Sequence, residues 1–143
     1  MPSDLELLGR LLLAGVLGGS VGAERELRGQ PAGLRMHTLL AIGACLFTLV
    51  SAYGFGRAAE PSRVASQVVA GIGFLGGGAV VRHGLSVRGL TAAASIWAAA
   101  STGVAVGVGS YLLAFGGSAM WLGTVCGLRA LDGLPRRRPE SRR

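Results

Sequence analysis

The feature that most limits this chain is a run of 40 residues, Gly89–Leu128, with no Asp, Glu, Lys or Arg. A helix crossing a bilayer needs about 20 mostly apolar residues. The run therefore holds two spans, divided at the turn-prone Gly107-Val108-Gly109-Ser110. Met36–Gly56 adds 21 residues free of formal charge, and Val64–Val81 adds 18 in which Ser66 and Gln67 are the strongly polar groups. Leu5–Ala23 is interrupted by Arg10, which snorkels outward or pairs with Glu6 at i,i+4. The expected fold is all-α, a polytopic transmembrane helix bundle with five spans at about 5–23, 36–56, 64–81, 89–107 and 110–128. Residues 1–128 form the membrane domain and 129–143 a basic tail.

Composition agrees with this. Only 15% of the 143 residues are charged and the mean hydropathy is +0.53, whereas soluble domains carry roughly a quarter charged residues. The balance excludes a disordered chain, a disulfide scaffold and most soluble enzymes. The first span does not read as a cleaved leader, because Asp4 and Glu6 stand where a positive segment is required and no cleavage site precedes Glu24. All five prolines fall at expected ends or loops.

Charge sets the expected orientation. With five spans, the loop Glu24–Arg35, the loop Arg82–Arg88 and the tail share one side and hold 11 of the 14 arginines. The positive-inside bias puts that side in the cytoplasm and the N-terminus outside. The arginines are divided among loops rather than gathered on one stripe, so the net charge of +7 indicates a bilayer rather than a nucleic-acid partner.

Small-residue spacings suited to close helix packing occur at Gly15/Gly19, Gly18/Gly22, Gly73/Gly77, Gly103/Gly107 and Gly123/Gly127. They serve packing within the chain or a homo-oligomer seam, a dimer being favoured. The segment Gly71-Ile72-Gly73-Phe74-Leu75-Gly76-Gly77-Gly78 has five glycines in eight residues. It marks a tight helix crossing or, alternatively, a hinge or path-lining break.

The polar inventory speaks against catalysis. No nucleophile triad, phosphate loop or dinucleotide fingerprint is present. Cys45 and Cys126 imply neither a disulfide nor a zinc site, His37 and His83 read as interfacial hydrogen-bonding groups, and Trp97 and Trp121 read as packing residues. No carboxylate is expected at membrane depth, so magnesium has no evident ligand set, and no cofactor or metal site is expected. An anion suits the arginines better. Arg35 and His37 stand at the start of the second span and Arg88 and Thr91 at the start of the fourth, where helix dipoles favour negative charge. Glu24, Arg25, Arg28 and Arg82 complete a candidate anion- or partner-binding set, with Glu24 pairing one of the arginines. Gln67 and Thr91 are the expected inward polar groups.

Four stretches carry a resemblance. They are Gly22-Ala23-Glu24-Arg25-Glu26, Ala32-Gly33-Leu34-Arg35-Met36-His37-Thr38-Leu39, the glycine-rich 71–78 segment, and Val87-Arg88-Gly89-Leu90-Thr91-Ala92-Ala93-Ala94-Ser95-Ile96-Trp97. In this order they resemble the membrane domain of the MgtC/SapB family, with departures at Met36, Gly77 and Ala92. Some members continue into a soluble C-terminal domain, whereas here a short arginine-rich tail is expected to follow the fifth span. The resemblance implies a multi-pass protein of the bacterial inner membrane connected with magnesium homeostasis, in a virulence-associated family. It further implies a modulator of other membrane machinery, including ATP synthase and magnesium transporters. Two functions follow as expectations. One is a non-enzymatic regulator with an arginine-rich cytoplasmic rim. The other is a small dimeric transporter of Mg2+ or another ion, its path lined by Gln67, Gly71, Gly73, Gly76, Gly77 and Gly78.

Overall fold

A computed structural model of the chain describes residues 2–55, 60, 62–83 and 86–132. Each expected span falls on a helix: α1 (Asp4–Leu27), α2 (Leu34–Tyr53), α3 (Arg63–Gly78), α4 (Leu90–Gly107) and α5 (Tyr111–Asp132). Ser3 starts α1 by accepting the Glu6 amide at 3.3 Å, and Asp4 and Glu6 place negative charge in its first turn. The start of α2 is capped from outside, by Glu26 Oε2 accepting the Leu34 amide at 2.8 Å. The division of the 40-residue run is a Schellman turn. Ser110 N donates to Ala105 O, Gly109 N donates to Val106 O, and Gly109 takes φ +82°.

The segment expected to be the loop Arg82–Arg88 is different. Val81–His83 (β1) and Ser86–Arg88 (β2) form a two-stranded antiparallel hairpin, with Val81 opposite Arg88 and Arg82 opposite Val87. The hairpin returns the chain on Gly89, at φ +90°, where any side chain would strike the Ala79 carbonyl.

The middle of the bundle is α1, α2 and α4. A methyl on Gly22 would stand 2.7 Å from Leu34 Cα, and one on Gly15 would meet Ile42 at 3.0 Å, so α1 runs antiparallel to α2. Gly103 seats against Ala41 and Ala44, and a methyl on Gly107 would lie 2.7 Å from Thr48 Cβ, so α4 runs parallel to α2. Lipid provides no hydrophobic drive between helices, and close backbone approach supplies the packing instead. Between these helices lie Ala14, Leu17, Cys45, Leu49 and Val106, with Ala44, Ile96 and Ala100 on the side of α3. Helices α3 and α5 flank this centre.

The glycine-rich segment forms an unbroken helix. A methyl at Gly71, Gly73, Gly77 or Gly78 would meet nothing within 4 Å, and Gly76 alone of the five faces a neighbour, Ala93 at 3.6 Å. The tight crossings within this chain belong to α1, α2 and α4. Trp97, expected to pack, is half exposed on the surface of α4. Among the described residues three helices are long and apolar enough to cross a membrane: Asp4–Leu27, Leu34–Tyr53 and Leu90–Gly107. Tyr111–Gly127 is apolar but shorter, and α3, with 16 residues, is about 24 Å long.

Candidate functional site at the arginine-bearing end

Antiparallel α1 and α2, with α4 parallel to α2, bring the α1–α2 loop, the hairpin and the starts of α2 and α4 to one end. The C-terminal half of α5 reaches the same end, where Cys126 Sγ lies 3.7 Å from Arg28 Nη2. Most of the sequence-predicted site residues gather here in three different conditions.

Arg25 is buried. Its Nη2 donates to Pro31 O at 2.8 Å and its Nε faces Pro31 O and Ala32 O, each at 3.2 Å. The α1–α2 loop needs such a clamp, because Ala32 takes φ +59°, the left-handed region that a Cβ disfavours. Arg25 thus holds the loop that leads into α2 rather than presenting its guanidinium outward. Glu24 and Arg28 form an i,i+4 ion pair on α1, the half-exposed Arg28 covering a largely buried carboxylate. Glu24 Oε2 has no hydrogen-bond partner among the described residues. Arg35, Arg82, Arg88 and Thr91 are exposed, and Arg35 makes no hydrogen bond or ion pair with any described residue. The side chain of His83 lies outside the described residues.

His37 is fully buried. Nδ1 lies 3.0 Å from Gly33 O and Nε2 lies 3.1 Å from Ser95 Oγ, whose one hydroxyl proton has Ala92 O, at 2.8 Å, as its other acceptor. Gly33 O can only accept, so Nδ1 carries a proton. His37 therefore ties α2 to α4 inside the bundle. Gln67 is exposed and sits in the wall of an apolar groove between α2 and α3, with Gly71 on the same wall.

A second polar cluster at the opposite end is only partly legible in sequence. Arg10 pairs with Glu6 at 2.6 Å, as the i,i+4 spacing predicts, and its Nη1 also donates to Gly107 O at 2.9 Å. The guanidinium lies 5.8 Å from the centre of the Tyr111 ring, within cation–π range. A side chain that reads as an interruption of the first span is a buried staple from α1 to the α4–α5 turn. Ser95 and Gly107 as partners had no local signal, since 58 and 97 residues separate them from His37 and Arg10.

Among the described residues no three His, Cys, Asp or Glu side chains come together as metal ligands. What the end offers chemically is a set of exposed guanidinium groups on a rigid, internally satisfied base. That suits recognition of negative charge.

The MgtC family model matches residues 11–134. A protein of Escherichia coli (strain K12) named "Putative magnesium transporter YhiD" is 44% identical over 124 residues, covering 82% of this chain and 58% of that protein. Protein MgtC of Salmonella typhimurium is 46% identical over 101 residues, 71% of this chain and 43% of that protein. Protein MgtC of Brucella abortus is 48% identical over 94 residues, 66% of this chain and 39% of that protein. The chain spans about half the length of the curated relatives it matches. No solved structure matches it. The four matching stretches, the apolar helices and the match over residues 11–134 have one meaning: the chain belongs to the MgtC family.

Proposed function

We propose that this is a multi-pass protein of the bacterial inner membrane, with five spans, its N-terminus outside and its arginine-bearing end in the cytoplasm. It is linked to magnesium homeostasis and acts as a non-enzymatic regulator of other membrane proteins. The observation that carries this reading is the division of polar groups in the bundle. The buried ones are consumed inside the bundle: His37 with Ser95 and Thr102 with Ser118, at 3.1 and 3.3 Å, join separate helices, and Thr48 donates back to Ala44 O of its own helix at 2.7 Å. Arg35, Arg82 and Arg88 are exposed together at one end. A hydrated divalent cation prefers carboxylate and carbonyl oxygens, and α2, α3 and α4 contain no Asp or Glu. Arg35, Arg82 and Arg88 repel a cation and attract an anionic segment or phosphate. The partners that the family resemblance suggests are other membrane proteins such as the ATP synthase or magnesium transporters.

One observation favours a second reading, transport by a dimer. Ser66, Ala70, Gly73 and Gly77 form an exposed row of small residues on α3, suited to the same helix of a second copy. The relative named for magnesium transport points the same way. Magnesium flux decides between them, measured in sealed liposomes under an imposed membrane potential, with Arg88→Ala and Gly73→Leu alongside. Regulation predicts no uptake above empty liposomes from folded, oriented protein. Uptake that the two variants abolish overturns it in favour of transport.

A further inference from the structure

We propose that the groove between α2 and α3 is a binding site for one anionic phospholipid, its phosphate held by Arg35 and an acyl chain lying along the groove. The inference rests on the reading of the arginine-bearing end as a surface for negative charge, and it gives that end a ligand.

The groove exists because two glycines face it from opposite walls. Gly43 on α2 and Gly71 on α3 both line it, and a methyl on either would meet nothing within 4 Å. Its volume is about 510 Å³, inside the range of roughly 300–1,000 Å³ usual for small-ligand sites. Leu39 and Phe47 on α2 and Leu75 on α3 make the lining apolar, and Gln67 contributes the polar side chain. A dry apolar slot along a membrane helix suits an acyl chain and disfavours a hydrated solute.

Charge complementarity selects the headgroup. Arg35, Leu39 and Gly43 are spaced i, i+4 and i+8 on α2, so the guanidinium stands on the groove face one turn beyond its lining. Side chains on a helix lean toward its N-terminus, which at Arg35 is the arginine-bearing end. The side chain thus snorkels to headgroup level above the slot. Arg25 and Arg28 are occupied by the loop carbonyls and by Glu24, whereas Arg35 is exposed and makes no hydrogen bond or ion pair with a described residue. A guanidinium in that position matches a phosphate diester, and the apolar slot below it distinguishes a lipid from free phosphate.

The test is native mass spectrometry of the full chain in mild detergent, offered phosphatidylglycerol or phosphatidylcholine with identical acyl chains. The expected result is a retained 1:1 adduct with a clear preference for phosphatidylglycerol. Arg35→Ala is expected to weaken the phosphatidylglycerol adduct about five-fold, to the level of phosphatidylcholine. Gly71→Leu, whose Cβ would meet nothing within 4 Å and whose side chain reaches into the slot, is expected to lose both adducts, while Gly116→Leu on the open face of α5 keeps them. Equal retention of the two lipids by the unaltered chain overturns the proposal, as does an adduct indifferent to Gly71→Leu. If Arg88→Ala removes the preference and Arg35→Ala does not, the anion-facing end stands and the groove site falls. Loss of the preference in millimolar inorganic phosphate, with Gly71→Leu silent, assigns the site to free phosphate and overturns the lipid. If neither arginine variant changes the preference, the reading of that end fails together with the proposal.

Discussion

A charged side chain in an apolar helix has meaning only through its partners. Arg25 reads as one arginine among three in a basic loop, yet it is the buried clamp of that loop. Arg25→Ala leaves the Pro31 and Ala32 carbonyls unpaired and is expected to cost about 1–3 kcal/mol, read as a lowered thermal midpoint of the purified protein in detergent. Arg25→Lys is expected to restore little, because an ammonium lacks the planar fork that reaches both carbonyls. Equal midpoints for the Ala variant and the parent would refute the clamp. His37 and Ser95 make a second residue-scale case. A double-mutant cycle with His37→Ala and Ser95→Ala is expected to show coupling of about 0.6 kcal/mol and no more than about 1.7, the range found for hydrogen bonds between membrane helices. Additive single effects would mean that the 3.1 Å contact contributes nothing.

At the scale of elements, glycines of the same sequence pattern divide into two kinds. Gly18 is pressed against Ala41 and lies under the His37 carbonyl, and Gly103 is pressed against the Ala41 carbonyl, whereas Gly73 and Gly77 face open space. Gly18→Leu and Gly103→Leu are therefore expected to abolish folded protein, because a side chain there meets backbone that cannot yield. Gly73→Ala and Gly77→Ala are expected to hold or raise the stability of the isolated chain, each by up to about 1 kcal/mol, since alanine favours the helix and nothing obstructs it. Monodispersity and thermal midpoint in detergent read both sets. Destabilisation by Gly73→Ala in a monomeric preparation would show that α3 packs more closely than its exposed row indicates. The spacing of glycines announced close crossings somewhere in the chain. Which pairs made them was illegible, because the spacing is local and the facing residue belongs to another helix.

For the whole molecule, the alternation of helices makes one end arginine-bearing, whichever side of the membrane it faces. The proposed orientation predicts that single cysteines replacing Arg88 and Arg63, in a chain lacking Cys45 and Cys126, react with an impermeant thiol reagent from opposite sides. The Arg88 position is expected to be labelled only once the cytoplasmic face is opened. The reverse pattern inverts the topology. The same background carries the test of a dimer: Gly73→Cys is expected to form a disulfide between two copies in native membranes, and Gly116→Cys, at an open position on α5, is not. Equal cross-linking at the two positions would remove α3 as the seam.

The sequence by itself determined the helical class, the break between α4 and α5 and the family, and it offered Arg10 a partner in Glu6 and Glu24 a partner among the nearby arginines. Each of these is written in local spacing: an uncharged run against membrane thickness, a turn between two glycines, charges four residues apart, motifs in a set order. Only the tertiary structure decided that Arg25 is consumed by its own loop while Arg35 stands exposed, that His37 reaches Ser95, and that the most glycine-rich helix turns four of its five glycines away from its own chain. Those outcomes depend on which faces of separate helices meet, and the energy of a helix contact belongs to both surfaces at once.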